Sequence, residues 1–295
     1  MLLAFYQIIG LNSEIHYANG SPTGELRSIA KFGTDSEGTM MSNPTYNLFI
    51  HGLSDENHEF LGRPATLYAD SFVSNLLASN MREASNAMVA ITIWMQVAQS
   101  LHEAYRACQQ SSLPEERKLQ INRNSDSSLF IDEAAAYWIG DNQDTGSSSD
   151  GHLLYALTEF IGEKFEDIPS GSESEVNVRI IDLFNKAKNH LAISRGCSTG
   201  VDSHVTLMSF IDELIPLMVV PLLRCLLYYL NENDLVLTRV YATAALPLFS
   251  ACSPSTYNEL KDQLINHDAL GVNKGYIYTK IQSMYSCLGK CLLCR

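Results

Sequence analysis

Glu133 and Tyr137 stand four residues apart, as do Tyr155 and Glu159, and His152 precedes Tyr155 by three. Helical residues three or four apart share a face, so each set lines oxygen donors along one side of a helix. Carboxylate and phenolate oxygens, with an occasional imidazole, are ligands for a hard cation such as ferric iron, whose charge they offset. The plainer alternative for each is a tyrosine or glutamate at a solvated helix edge. Between the two sets runs Gly146-Ser147-Ser148-Ser149-Asp150-Gly151, where a second helix opens. Backbone N–H groups and the helix dipole at such a start can receive a small anion such as carbonate, with Ser148, Ser149 and Gly151 as donors; ordinary N-capping uses the same residues.

His102 lies in the apolar stripe of a longer helix, near Ala98 and Tyr105, whereas Glu103 points about 140° from Ala98. Of the two, only His102 is expected to face inward, where a lone histidine is ordinarily a satisfied core group. Cys287, Cys291 and Cys294 have the C-x3-C-x2-C spacing of iron–sulfur radical enzymes. The run stops at the penultimate residue with no barrel after it, so disulfides are expected instead. No G-x-S-x-G, Walker loop, G-x-G-x-x-G or H-E-x-x-H occurs, and catalysis is not expected.

The elements that position these residues are helical. Ala84, Ala87, Met88, Ile91, Trp94, Met95, Ala98, Leu101, Tyr105 and Cys108 recur at three- and four-residue spacing, which predicts one long amphipathic helix from Arg82 to Cys108. Pro114, an EERK run and a polar tract make Leu113 to Ser128 a linker or surface loop. Two short helices follow, Ile131 to Ile139 and His152 to Phe165, stopped and started by glycines and by capping Ser and Asp residues. Val176 to Ile193, Val236 to Cys252 and Tyr257 to Asn266 also read as helices. The most apolar run, Leu214 to Leu230, is interrupted by Pro216, Pro221 and Arg224 and falls short of the roughly 20 residues of a membrane span; a buried, proline-kinked helix is expected. Strand-like alternation is nearly absent. The fold class is mainly α: a helical bundle at residues 81–295, with a loop-rich N-terminal region at residues 1–80 packed on it, stabilised by disulfides.

With 295 residues, 46% of them hydrophobic, the chain can bury a substantial core. Its net charge of −13, with no Lys/Arg stripe, disfavours nucleic acid and suits cations and basic partners. Seven cysteines fit an oxidising compartment and, being odd in number, leave one unpaired. The sequon Asn19-Gly20-Ser21 fits secretion, although Met1 to Gly10 lacks the basic region and cleavage site of a signal peptide.

At Asp132-Glu133-Ala134-Ala135-Ala136-Tyr137-Trp138-Ile139-Gly140, and again at Gly151-His152-Leu153-Leu154-Tyr155-Ala156-Leu157-Thr158-Glu159, the chain resembles the algal iron-assimilation (FEA) and phytotransferrin-like proteins. Leu101-His102-Glu103 with Cys108, Val220-Pro221-Leu222-Leu223 leading to Tyr229, Ala244-Ala245-Leu246-Pro247 with Cys252, and Tyr285-Ser286-Cys287-Leu288-Gly289 fall in the order this family shows. Such proteins are secreted or surface-attached, and the best understood bind ferric iron together with carbonate in high-affinity uptake, without catalysis. The resemblance therefore implies metal capture, with Glu133 a candidate ligand, His102 and Glu103 a His-Glu pair, and a cell-surface or uptake protein as partner. Tyr228 stands where the family often has a basic residue, and Leu129-Phe130-Ile131 replaces a His-Ala-Trp-like lead. An anion needs a positive partner or several donors, so the first departure bears on the carbonate site. The expected function is a non-enzymatic, extracytoplasmic ferric-iron-binding protein using Glu133, Tyr137, Tyr155, Glu159, His102 and Glu103. The alternative is a secreted structural or interaction protein that keeps the fold without metal.

Overall fold

Asn43 followed by Pro44 is a helix start: the Asn43 side-chain oxygen accepts from the backbone N–H groups of Thr45 and Tyr46, and the proline ring occupies the first turn, where no donor is needed. Helix α1, Pro44–Leu53, grows from it and buries Tyr46, Phe49, Ile50 and Leu53. A two-residue antiparallel pair, β1 (Glu59–Phe60) and β2 (Arg63–Pro64), leads to α2, Tyr68–Ser79. The region read as loop-rich thus also carries two helices with apolar stripes of their own. The structure is a computed structural model and describes residues 29–35, 38, 40–79, 81–112, 127–168, 173–199, 202–266 and 271–291, with only the backbone of 81, 82 and 286–291.

The predicted Arg82–Cys108 helix is present, with a change of pitch inside it. Helix α3 (Met81–Ala87) runs through a π-helical segment, Met88–Ile93, into α4, Trp94–Ser111. From Ala90 to Leu101 every residue is buried, including Thr92, Gln96, Gln99 and Ser100. The apolar stripe packs as expected, but the opposite stripe is covered as well, so this stretch is a central helix and not an amphipathic surface one.

Around it pack α5 (Ser127–Ile139), α6 (Leu154–Lys164), α7 (Glu175–Ile193), α8 (Ser203–Glu232) and α9 (Leu235–Ala245). Helix α4 lies against α5 and α8, α7 against both of those, and α9 against α8. Helices α10 (Pro254–Lys261) and α11 (Lys274–Cys291) complete the described chain. Helix α8 keeps Pro216 and Pro221 inside 30 continuous residues and buries most of the run read as its core. Its Arg224 points instead to Asp167, 2.6 Å away. No helix among the described residues is long and apolar enough to cross a membrane. The helix ends at Asn233 in the left-handed conformation, φ 61°, where a short polar side chain is tolerated.

Cys108, at the end of α4, is bonded to Cys197 in the turn after α7. Cys252 is also disulfide-bonded, and buried Cys225 is a free thiol. The sequon at Asn19, the span 113–126 of the expected linker, and the side chains of Cys287, Cys291 and Cys294 lie outside the described residues.

The hairpin of α5 and α6 is present, and its loop departs from expectation at one end. Gly140, φ 86°, stops α5 with its N–H donated to Ala136 O. Helix α6 begins at Leu154 with Leu153 as its N-cap and no side-chain cap. Ser147 Oγ instead accepts from the N–H groups of Ser149 and Asp150, closing a turn within the loop. The serines and aspartate hold the loop in shape and leave the helix start uncapped, because the loop returns through Gly151 before the helix opens.

Candidate functional site

Glu103 on α4 and Glu133 on α5 line one cavity of about 220 Å³. The stripe Gln96, Gln99, Ser100 and Glu103, spaced three and four residues apart, forms the α4 wall; Lys31, Phe32, Thr34, Met40 and Phe130 close the rest. This explains why α4 can be buried on both sides: its polar stripe looks into a polar cavity instead of bulk water. Gln99 is fixed from both ends, accepting from Asn43 Nδ2 at 2.9 Å and donating to Glu103 Oε1 at 2.9 Å. Arg106 also donates to Glu103 Oε1, at 3.3 Å. Ser100, 1% exposed, has no hydrogen-bond partner for its hydroxyl among the described residues. Such a buried orphan costs about 1–3 kcal/mol, a cost removed when a ligand supplies the partner. Tyr137, one turn beyond Glu133, sets its ring edge-on to Phe32 of the cavity wall, 5.2 Å between centroids.

His102 and Glu103 are both half-buried, so His102 turns partly inward as expected, and Glu103 is not left in solvent. Glu103 lines the cavity; His102 is half-buried beside it, with Nε2 3.4 Å from Ser42 Oγ. Burial, reinforced by the Arg106 charge, holds the His102 pKa down at about 4, so the ring is neutral at physiological pH. Glu103, on the side of α4 opposite the apolar stripe, is covered because a second layer packs over that side.

Tyr155 and Glu159 share a face as their spacing requires, but that face is pressed against the start of α7. The Tyr155 hydroxyl accepts from Gly146 N at 3.0 Å and donates to Glu173 in a very short bond. Burial above all, then that bond to Glu173, pushes its pKa well up. Glu159 is fully buried: its two oxygens accept from Ser174 N at 3.1 and 3.0 Å, and one also from Asn177 Nδ2 at 2.6 Å. Asn177 in turn accepts from the Trp138 indole at 3.0 Å and donates to Tyr155 O at 3.0 Å, binding three helices through one side chain. Glu159 thus accepts hydrogen bonds at the N-terminus of α7. The two predicted oxygen-rich faces part company: Glu133 and Tyr137 belong to the cavity, Tyr155 and Glu159 to the α7 junction.

Burial raises the Glu159 pKa above 4.5, against the opposing hydrogen bonds from Asn177 and Ser174. An acid with a raised folded-state pKa binds its proton more tightly when native, so stability falls as pH rises from 4.5 through the raised value. Glu159→Gln is accordingly expected to flatten that part of the stability–pH profile. Urea melts of both proteins across that range check it; identical slopes would contradict it.

Of the residues considered for an anion, Ser148 Oγ donates to Glu163 at 2.9 Å and Ser149 is exposed. Gly151 is buried against Gln143, where a Cβ would stand 1.8 Å from the amide oxygen, so any larger residue would have to displace the Gln143 carboxamide. His152 is exposed. Among the described residues no group of three or more His, Cys, Asp or Glu side chains is placed to hold a metal ion. Lys31, Thr34, Gln96, Gln99, Ser100 and Asn177 carry no motif; the only signal was the polar repeat from Gln96 to Glu103 on a helix already rich in apolar residues. Comparison with protein-family models, curated proteins and solved structures finds no match.

Proposed function

We propose that this chain is a non-enzymatic, extracytoplasmic binding protein that captures a hard cation, ferric iron, in the cavity between α4 and α5. The observation that carries the reading is the meeting of Glu103 and Glu133 at a cavity whose other polar lining is the amides Gln96 and Gln99, the hydroxyls Thr34 and Ser100, and one cation, Lys31. Oxygen donors of this kind favour hard, highly charged ions over soft ones. Ser100, on the same wall, has a buried hydroxyl with no partner among the described residues. Lys31, on the same cavity, supplies the positive charge that a carbonate bound with the metal would need. The Ser148–Gly151 loop is the weaker anion site, since the N–H groups of Ser149 and Asp150 already bond to Ser147. The acidic composition and the disulfides support an oxidising, extracellular or surface location, where a cell-surface uptake protein would be the partner.

Thermal melts with ferric nitrilotriacetate, with and without bicarbonate, test the reading. Iron at about a hundred times its dissociation constant is expected to stabilise the wild type by about 2.7 kcal/mol, and Glu133→Gln to abolish most of the shift. No shift in the wild type would favour the alternative, an interaction protein without metal.

A further inference from the structure

A second cavity, of about 200 Å³, opens nearer the other end of the central helix. Val89 of the π-helical segment, Ala156, Leu157 and Phe160 of α6, and Tyr229 of α8 form its walls. π-Helical turns are uncommon and recur at binding sites, because the extra residue turns side chains that a regular helix would align elsewhere. One wall is a braced aromatic array. Phe160 meets Tyr228 edge-on at 6.2 Å, Tyr228 meets Tyr229 at 5.1 Å, and Tyr229 stacks on Tyr241 at 5.5 Å with the rings 4° from parallel. Rings held this way present a fixed π surface that costs little ordering entropy when a guest arrives.

Uncharged polar groups share the lining: Ser85, Asn86, Ser148, His152 and the hydroxyls of Tyr229 and Tyr241. The Tyr241 hydroxyl donates to Asn86 Oδ1 at 3.0 Å, which fixes the orientation of that carboxamide at the cavity edge. Ser148 commits its proton to Glu163, so towards a guest it can only accept. No Asp, Glu, Lys or Arg is among the described lining residues, which leaves a charged guest without a counter-ion. His152 marks the solvent side. The volume exceeds the roughly 150 Å³ of a cavity that holds benzene, which allows one ring with a short polar substituent.

We propose that this cleft is a binding site for a small, neutral, ring-bearing organic molecule that carries a hydrogen-bond donor. The site is separate from the carboxylate cavity and stands or falls independently of cation capture. Benzamide is the probe, with toluene, which lacks the donor, and benzoate, which is charged, as comparators. In saturation-transfer NMR on the full chain benzamide is expected to receive signal, to shift the methyl resonances of Val89 and Leu157, and to bind more tightly than either comparator. Ala156→Leu fills the cavity, and Phe160→Ala, at a half-buried position, removes part of its wall; each is expected to weaken benzamide by about tenfold or more. If Ala156→Leu does not fold, Phe160→Ala decides. No transfer to benzamide, shifts at Met40 of the carboxylate cavity with Val89 and Leu157 unmoved, or undiminished binding in Phe160→Ala would each overturn the proposal.

Discussion

Asn177→Ala is expected to be the most damaging single substitution at the junction of α5, α6 and α7, lowering stability by about 3–5 kcal/mol. The loss is large because three buried groups each lose a partner at once. The buried Glu159 carboxylate loses its 2.6 Å donor, the Trp138 indole its acceptor, and the Tyr155 carbonyl its 3.0 Å partner. None can turn to water, since Asn177, Glu159 and Trp138 are fully buried. For a chain of this size the melting temperature is expected to fall by roughly 10 °C. Asn177→Asp separates packing from charge: it keeps the shape but sets a second carboxylate against Glu159, so it should be worse at neutral pH than in mild acid. A loss below about 1 kcal/mol in Asn177→Ala would show that the network is not buried as described.

The second large effect is expected from the Cys108–Cys197 bridge. It closes a loop with a sequence separation of 89 residues, and the chain-entropy model assigns such a loop roughly 4–5 kcal/mol, with about 2–4 kcal/mol typical of measurements. Ser112 reinforces the junction, its hydroxyl lying 3.0 Å from Cys108 O and 3.2 Å from Cys197 O. Cys108→Ala/Cys197→Ala should therefore lower the midpoint of urea unfolding, with hydrogen exchange rising first at the end of α4 and the turn after α7. Because both cysteines are buried, mild reductant should act only at the rate of local opening. An unchanged midpoint in the double variant would contradict this.

The long helices were legible because their cores are made by periodicity, a local property. The repeat from Ala84 to Cys108, the run through Pro216 and Pro221 and the hairpin around Gly140 all appear where spacing and punctuation place them. Helix α1 was legible too, in Asn43-Pro44 and the spacing of Tyr46, Phe49, Ile50 and Leu53, but the glycines before it, from Gly10 to Gly38, masked it. The sites were harder to read because a site depends on what covers a helix, which no local pattern records. Glu133 could be picked out on its own helix. That Glu103 shares its cavity, and that His102 does not, follows from a second layer burying the polar stripe of α4. Glu159 shows the converse: spacing set it beside Tyr155, but Ser174 and Asn177, arriving from α7, took up its oxygens.

Cation capture at Glu103 and Glu133 is tested most directly by equilibrium dialysis of the wild type and of Glu103→Gln/Glu133→Gln against ferric nitrilotriacetate and bicarbonate, followed by metal analysis of the retained protein. The expected result is one iron per wild-type chain and none above background in the double variant, with circular dichroism unchanged between them. Equal iron on both proteins, or none on the wild type, would contradict the assignment of this cavity.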